Sequence, residues 1–147
     1  MLKAYVLIEK GYEYDDNYYN EHGDGGGNPK TVLFDKDFAK SKCRDLEIKR
    51  HKTENISEYC PGGIEDYVDN VEEFEKFLDS LIQKYGPIKK QSKWDTINKY
   101  RLHPLSNREE EDKYLSYLDG YLFYDICETD IDKESLRDSQ VSYLTGH

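Results

Sequence analysis

Residues 4–35 have the sequence AYVLIEKGYEYDDNYYNEHGDGGGNPKTVLFD, and this stretch decides the fold. Ala4, Val6 and Ile8 fall on one face of an extended chain, and the residues between them fall on the other. This period of two, in a run rich in aromatic and β-branched residues, predicts a β-strand over residues 4–14.

A second short strand is predicted over residues 30–34, where threonine, valine, leucine and phenylalanine follow a lysine. The segment Asp15–Pro29 lies between the two strands and holds four glycines and several acids. Such a segment has little to bury, so it is predicted to be a surface loop. The stretch as a whole therefore predicts a long β-hairpin with a polar tip.

The rest of the chain predicts helices and one further strand, all within a single domain of residues 1–147. Asp35 is a suitable cap for the first helix, and Ser106 with Glu109 forms a predicted capping box for the last one. Residues 51–63 are predicted to be a loop. The tail, residues 132–147, fits either a short helix or a frayed end. The predicted strands are 4–14, 30–34 and 121–127, and the predicted helices are 36–49, 64–85, 93–100 and 107–119.

These elements predict an α+β fold in which a small antiparallel sheet of about three strands is covered by three or four helices. The helix over 64–85 has the clearest pattern, an apolar stripe at spacings of three and four that ends at Gly86 and Pro87. The segment 88–105 is less regular, and Trp94 and Leu102 are among its predicted apolar anchors.

The chain is acidic, with 31 acidic against 21 basic residues in 147 and a formal net charge of −10. This balance argues against a phosphate backbone as the main partner, so no direct nucleic-acid binding is predicted. Charge is unevenly distributed. Residues 36–52 hold seven lysines or arginines against three acids, whereas residues 64–83 hold seven acids against one lysine. A homo-oligomer in which the basic helix 36–49 meets the acidic helix 64–85 is one reading of this pattern.

The cysteines indicate a reducing compartment, since Cys43, Cys60 and Cys127 are odd in number, widely spaced and without a C-x-x-C pair. No apolar signal segment or run of about 20 apolar residues is present. We therefore expect a cytoplasmic protein, in the host cytoplasm if a phage encodes it, with no membrane partner.

Residues 4–48, with the motifs Gly11-Tyr12-Glu13-Tyr14-Asp15-Asp16 and Gly25-Gly26-Gly27-Asn28-Pro29, resemble small uncharacterised proteins of bacteria and their phages. Leu122 to Glu128 is similar to the closing strand of those proteins. The resemblance implies a β-β-α opening and a bacterial or phage origin. It implies no function and no site residue.

The glycine-rich loop is the leading candidate for a binding site, although a mere spacer is also consistent with its composition. Exposed aromatic rings beside acids are typical of protein-binding hot spots, and Tyr18 and Tyr19 have nothing local to bury them. The predicted partner-binding residues are Asp15, Asp16, Tyr18, Tyr19, Glu21 and Asp24. In the alternative, a small nucleotide-like ligand binds under the loop, and its predicted contacts are Tyr12, Tyr14, His22 and Lys30.

No catalytic residue, metal site or cofactor is predicted. The loop lacks the G-K-[ST] ending of a phosphate-binding loop, and the acids of the loop and the tail do not match calcium-loop spacing. Cys43 and Cys127 are expected to face the core. Cys60 lies before Pro61 and is the one thiol whose setting favours a lowered pKa.

The sequence thus favours a binding protein over an enzyme. The leading hypothesis is an acidic protein that blocks a basic surface of a macromolecular partner, such as a phage inhibitor of bacterial defence or an immunity protein. The alternative is a small-ligand binder, or an enzyme, with its pocket under the glycine-rich loop.

Overall fold

A computed structural model of the chain describes residues 2–10, 12–14, 19–21, 28–60 and 62–131. Two short 3₁₀ helices, Ile56–Tyr59 and Ile64–Asp66, precede the second α-helix. The regular elements are, in chain order, β1 (Leu2–Glu9), β2 (Tyr12–Tyr14), β3 (Tyr19–Glu21), β4 (Asn28–Leu33), α1 (Lys36–Thr53), α2 (Val71–Tyr85), α3 (Arg108–Ser116) and β5 (Tyr124–Ile131).

The main sheet is antiparallel and has the strand order β4-β1-β5, so the α+β prediction is confirmed. β1 and β5 pair without interruption from Leu2 opposite Ile131 to Glu9 opposite Tyr124. The pairing of β1 with β4 shifts register between Leu7 and Ile8. The central strand is therefore the first strand that the sequence pattern predicts.

The chain divides into two compact units. The first unit comprises Met1–Leu46 and Phe123–His147 and contains the sheet; its buried apolar residues include Ala4, Leu7 and Cys43. The second unit comprises Glu47–Leu122 and contains α2 and α3, with Phe74 and Tyr114 among its fully buried side chains. The single domain stays a prediction.

The hairpin differs from its prediction. The first strand ends at Glu9, and the predicted loop contains β3, which pairs with β2 in a separate two-stranded sheet. Tyrosines on both sides of Asp15-Asp16-Asn17 favour extended chain around a turn-forming triplet, so the sequence does carry a signal for this second hairpin.

Helix α1 begins where predicted but is longer. The Asp35 carboxylate accepts a hydrogen bond from the Phe38 amide at 3.0 Å, as a helix cap does, and the helix continues four residues past the predicted end to Thr53. Phe38, in the first turn, has 57% of its surface exposed. The buried residues of α1 include the polar Glu47 and His51. A search for apolar residues at helical spacing does not identify them.

Helix α2 starts at Val71 instead of residue 64. The Asn70 side chain accepts a hydrogen bond from the Glu73 amide at 3.2 Å and so begins a new helix. Immediately before it, Val68 forms a β-bridge with Leu118, which is incompatible with a helix through that point. The predicted end is confirmed, because Gly86 follows the last turn with φ of +92°.

The predicted helix over 93–100 is absent, and residues 86–107 contain no regular element. Trp94 is 82% exposed and is not an anchor, whereas Leu102 is fully buried as predicted. Backbone and side-chain hydrogen bonds hold this segment to the end of α1: the Leu102 amide donates to the His51 carbonyl and the Arg101 Nε donates to the Lys52 carbonyl.

The remaining predictions hold with small shifts. α3 is capped by Asn107 and Glu110, one residue later than the predicted Ser106 and Glu109. Both pairs have the spacing of a capping box, so spacing alone does not distinguish them. The last strand is β5, not 121–127, and it pairs with β1 as expected. The tail 132–147 lies outside the described residues. Among the described residues, no helix is long and apolar enough to cross a membrane.

The assignment of Asn107, and not Ser106, as the cap of α3 can be tested with two variants. Asn107→Ala removes the acceptor for the Glu110 amide, which lies 2.8 Å from Asn107 Oδ1, and should lower the free energy of unfolding by about 1 kcal/mol. Ser106→Ala removes a buried hydroxyl that has no hydrogen-bond partner in the described structure, so stability should be unchanged or higher. Urea unfolding of the two variants compares them. A larger loss in Ser106→Ala would contradict the assigned cap.

Candidate functional site

The structure describes only part of the predicted binding loop. The following predicted site residues lie outside the described residues: Asp15, Asp16, Tyr18, His22 and Asp24. The β2–β3 hairpin pairs Tyr14 with Tyr19 and Tyr12 with Glu21. The backbone thus brings two predicted ligand contacts next to two predicted partner contacts.

Lys30, the remaining predicted ligand contact, lies on β4. Its Nζ is 3.0 Å from Glu9 Oε2 of the neighbouring strand β1, and both side chains are partly exposed. A cation already paired with a carboxylate is a weaker site for an anionic ligand.

In the described part of the first unit, three exposed acids lie on β5, and three others, Asp35, Asp37 and Asp45, lie at and along α1. Asp125, Glu128 and Asp130 are all exposed, and the strand holds no basic residue. Glu128 Oε1 is 3.3 Å from the Nζ of Lys3 on β1. A hydrogen bond from Lys3 to Glu128, followed by the charges of Glu128 and Asp130, raises the pKa of Lys3. Lys3 thus lies near two of the three carboxylates, and Asp125 is opposite Ile8.

The acids of the second unit are, by contrast, often paired within the unit. Glu110 is an example of a carboxylate with several donors. Burial acts to raise its pKa, but hydrogen bonds from the Tyr85 hydroxyl, the Asn107 amide and Lys84 outweigh burial and lower the pKa to about 2. The other ion pairs of this unit include Arg50–Glu54, Lys52–Glu111, Lys76–Glu72, Lys99–Glu75 and Arg101–Asp95.

Two acids of the second unit lie side by side. Asp69 and Asp119 follow the bridge residues Val68 and Leu118. The Asp69 amide donates to the Tyr117 carbonyl at 3.0 Å, and the Asp119 amide donates to the Tyr67 carbonyl at 3.1 Å. A hydrogen bond with Asp69, followed by its negative charge, raises the pKa of Asp119. Because the folded form then binds this proton more tightly than the unfolded chain, the pair favours folding less as the pH rises above 3.8.

A fully buried polar network joins α1 to α3. Glu47 Oε2 lies 2.6 Å from His51 Nε2 and accepts a hydrogen bond from the Leu122 amide at 3.0 Å. Tyr114 OH lies 2.8 Å from His51 Nδ1. A neutral imidazole with its proton on Nε2 satisfies every one of these contacts, with Tyr114 donating to Nδ1.

This network has the residue types of an acid–base relay but not the access that catalysis needs. Glu47, His51 and Tyr114 are each 0% exposed. Burial, then the charges of Glu47 and Cys60, raises the pKa of Tyr114 well above 10, so its hydroxyl remains a donor. The network is therefore structural. The sequence did not indicate it, because a Glu–His pair four residues apart on a helix usually faces solvent.

The thiols do not form a nucleophilic site. Burial, followed by the charge of Asp66, raises the pKa of Cys60 to about 11, so the expected lowering of its pKa is wrong. Cys43 is buried as expected, but Cys127 on β5 is exposed and not in the core. The described part of the chain contains no cluster of three or more His, Cys, Asp or Glu that could hold a metal ion.

The surface clefts within the second unit include the following two. One, of about 160 Å³, is lined by Trp94 and by Glu54 and Asp95, whose carboxylates already bind Arg50 and Arg101. The other, of about 400 Å³, lies along α2 and α3 over Phe77. Lys84 and Glu110, in its wall, pair with each other at 3.0 Å. Glu54 and Asp95 in the first cleft, and Lys84 and Glu110 in the second, are therefore already bound to other side chains.

The buried network predicts a stability difference between two tyrosines. Tyr114→Phe leaves His51 Nδ1 buried without its donor and should cost about 1–3 kcal/mol of unfolding free energy. Tyr117→Phe is the control, since that hydroxyl has no hydrogen bond in the described structure, and should change stability by less than about 0.5 kcal/mol. Equal effects in urea unfolding would rule out the network as a source of stability.

The thiols predict a labelling order. With a pKa of about 11 and a buried sulfur, Cys60 should react with iodoacetamide far more slowly than the exposed Cys127 in the native protein at neutral pH. Mass spectrometry of the labelled peptides measures both rates, and denatured protein is the control in which all three thiols should react. Faster labelling of Cys60 than of Cys127 would restore it as a candidate nucleophile.

No protein-family model, no curated protein and no solved structure matches this chain. The resemblance of residues 4–48 to small bacterial and phage proteins stays a prediction.

Proposed function

We propose that this protein is an acidic binding protein that covers a basic surface of a macromolecular partner. The observation that supports this most is β5, where Asp125, Glu128 and Asp130 are exposed and Lys3 is the one lysine or arginine paired with them in the described structure. An excess of exposed, unneutralised charge in one place favours association with the opposite charge.

The distribution of ion pairs strengthens the proposal. Many acids of the second unit are held by lysines and arginines of the same unit, so they contribute little to an external field. Asp125 and Asp130 form no ion pair with a described residue. Part of the net charge of −10 is therefore negative charge on β5 that no described ion pair compensates.

A further group of exposed acids in the second unit adds to the overall negative potential. Its members are Glu65, Asp66, Asp69 and Asp119. A hydrogen bond with Asp69, followed by its negative charge, raises the pKa of Asp119, and neither carboxylate forms an ion pair within the described part of the chain. A partner carrying lysines or arginines would relieve this repulsion.

The proposal includes the biological role that the sequence suggests. A protein of this kind can inhibit an enzyme that acts on nucleic acid, because its carboxylates occupy the positions where phosphates bind. A phage inhibitor of bacterial defence, or an immunity protein against a toxin, works in this way. The partner would be a basic protein, not nucleic acid.

The proposal predicts salt-dependent capture of a basic protein. The immobilised protein should retain a partner from a bacterial lysate at low ionic strength and release it near 1 M salt, where the screening length falls to about 3 Å. The bait for comparison carries Asp125→Asn, Glu128→Gln and Asp130→Asn, which keep the shapes of the side chains and remove their charge. It should retain at least about tenfold less partner.

Two results would contradict the proposal. One is the absence of any retained protein at low salt. The other is retention that salt does not weaken and that is the same for the neutralised β5 variant and for a variant in which three exposed acids of the second unit are neutralised, Glu73→Gln, Asp79→Asn and Glu109→Gln.

A further inference from the structure

We infer that the edge of β5 that faces away from β1, here called the outer edge of β5, binds a basic, extended segment of a protein partner as an additional antiparallel strand. This inference rests on the proposed function and adds its location and its mode of recognition. In this mode the backbone of the sheet edge supplies hydrogen bonds, and the alternating side chains supply specificity.

The two sides of the main sheet differ in how they are protected. β4 contains Pro29, which has no amide hydrogen, and its register with β1 is interrupted between Leu7 and Ile8. Prolines and irregularities of this kind are ways in which sheet edges avoid adding a strand. β4 is therefore a poor template.

β5 has neither feature. It contains no proline or glycine and pairs with β1 in one unbroken register over its whole length, Tyr124–Ile131. No other described strand pairs with it, so residues 125–131 have no neighbouring strand on their outer edge in the described structure. One amide of this segment, that of Ile126, donates to the side chain of Asp125 at 2.8 Å, and an incoming strand would replace that local hydrogen bond. An edge of seven residues can bind a complete strand.

The acids of β5 specify the charge of that strand and its spacing. Glu128 and Asp130 are two residues apart and share one face, whereas Asp125 lies on the other. A strand with basic residues opposite these three positions places opposite charges in direct cross-strand contact. The expected partner segment therefore has two basic residues at alternate positions and a third on the opposite face.

The same acids disfavour a second copy of this chain as the occupant. If two β5 strands paired antiparallel about a centre at Thr129, Glu128 of each would lie opposite Asp130 of the other. A centre at Glu128 would bring the two Glu128 carboxylates together. Like charges opposite each other destabilise strand pairing, so the edge selects a basic strand over itself.

Hydrogen–deuterium exchange with a designed peptide tests the inference. The probe is Val-Lys-Thr-Arg-Val-Val-Lys-Thr, which in the antiparallel register places its basic residues opposite Asp130, Glu128 and Asp125. At about 1 mM, where a weak complex is populated, the peptide should slow exchange of every second amide of 125–131 by about tenfold or more. These amides should exchange quickly in the free protein.

Matched controls separate backbone pairing from charge. The same peptide, N-methylated at alternate residues on the edge that faces β5, keeps the charge but cannot pair and should give no protection. Asp125→Lys with Asp130→Lys should weaken binding of the probe about tenfold or more. Glu73→Lys with Asp79→Lys makes the same change in net charge on exposed residues of the second unit and should leave binding of the probe unchanged.

The milder variant Asp125→Asn with Asp130→Asn should also weaken binding, and it keeps the test valid if the lysine variant does not fold. Four results would overturn the inference: no protection by the probe, equal protection by the N-methylated peptide, equal binding by the β5 variants, or slow exchange in the free protein of the alternate amides that face away from β1. If those amides are slow in the free protein, the dependence on protein concentration tells what covers the edge. Protection that grows with concentration would identify a second copy of the chain, and constant protection would identify another part of the same chain. Lysate capture that succeeds while this test fails would leave the proposed function intact.

Discussion

The second unit depends on one buried carboxylate. Glu47 has no access to water, and a buried carboxylate is tolerated only when donors surround it. His51 and the Leu122 amide supply two of those donors, and Tyr114 fixes the imidazole from its other side. Since each group satisfies its neighbour, the end of α1, the buried face of α3 and the segment that leads to β5 have a single compatible arrangement. The irregular residues that follow α2 are then held to the same helix end, through the Leu102 amide and the Arg101 guanidinium.

Charge is handled in two different ways along the chain. In the second unit, lysines and arginines neutralise many of the acids, and the low pKa of Glu110 shows that several donors converge on one carboxylate. On β5 the acids outnumber the cations, and Lys3 is shared between Glu128 and the field of Asp130. Internal ion pairs at exposed positions stabilise a fold weakly, whereas uncompensated charge is a means of recognition. The two arrangements fit a stable scaffold in one unit and an interactive strand in the other.

Much of the fold follows from local signals, and the errors arise where distant residues decide. The alternation along β1, the apolar stripe of α2 and its end at Gly86 could all be predicted because their causes lie within one element. The start of α2 could not, since the bridge between Val68 and Leu118 joins residues far apart in the chain. The burial of Glu47 and His51 likewise depends on Tyr114 and Leu122. The acids of β5 lie in a segment whose negative charge is visible in the sequence, but their position at a sheet edge follows from strand order alone.

The pair of Asp69 and Asp119 gives the protein a link between protons and cations. The β-bridge holds the two carboxyl groups together, and in the free protein they bind a proton more readily than an isolated aspartate does. A lysine or arginine placed against the pair would favour the doubly ionised form and so expel that proton into solution. Association at this point would therefore tighten as the solution becomes more alkaline, over the same range in which the unbound fold loses stability. A cationic partner would then act as a folding ligand, restoring through contact the stability that the two like charges remove.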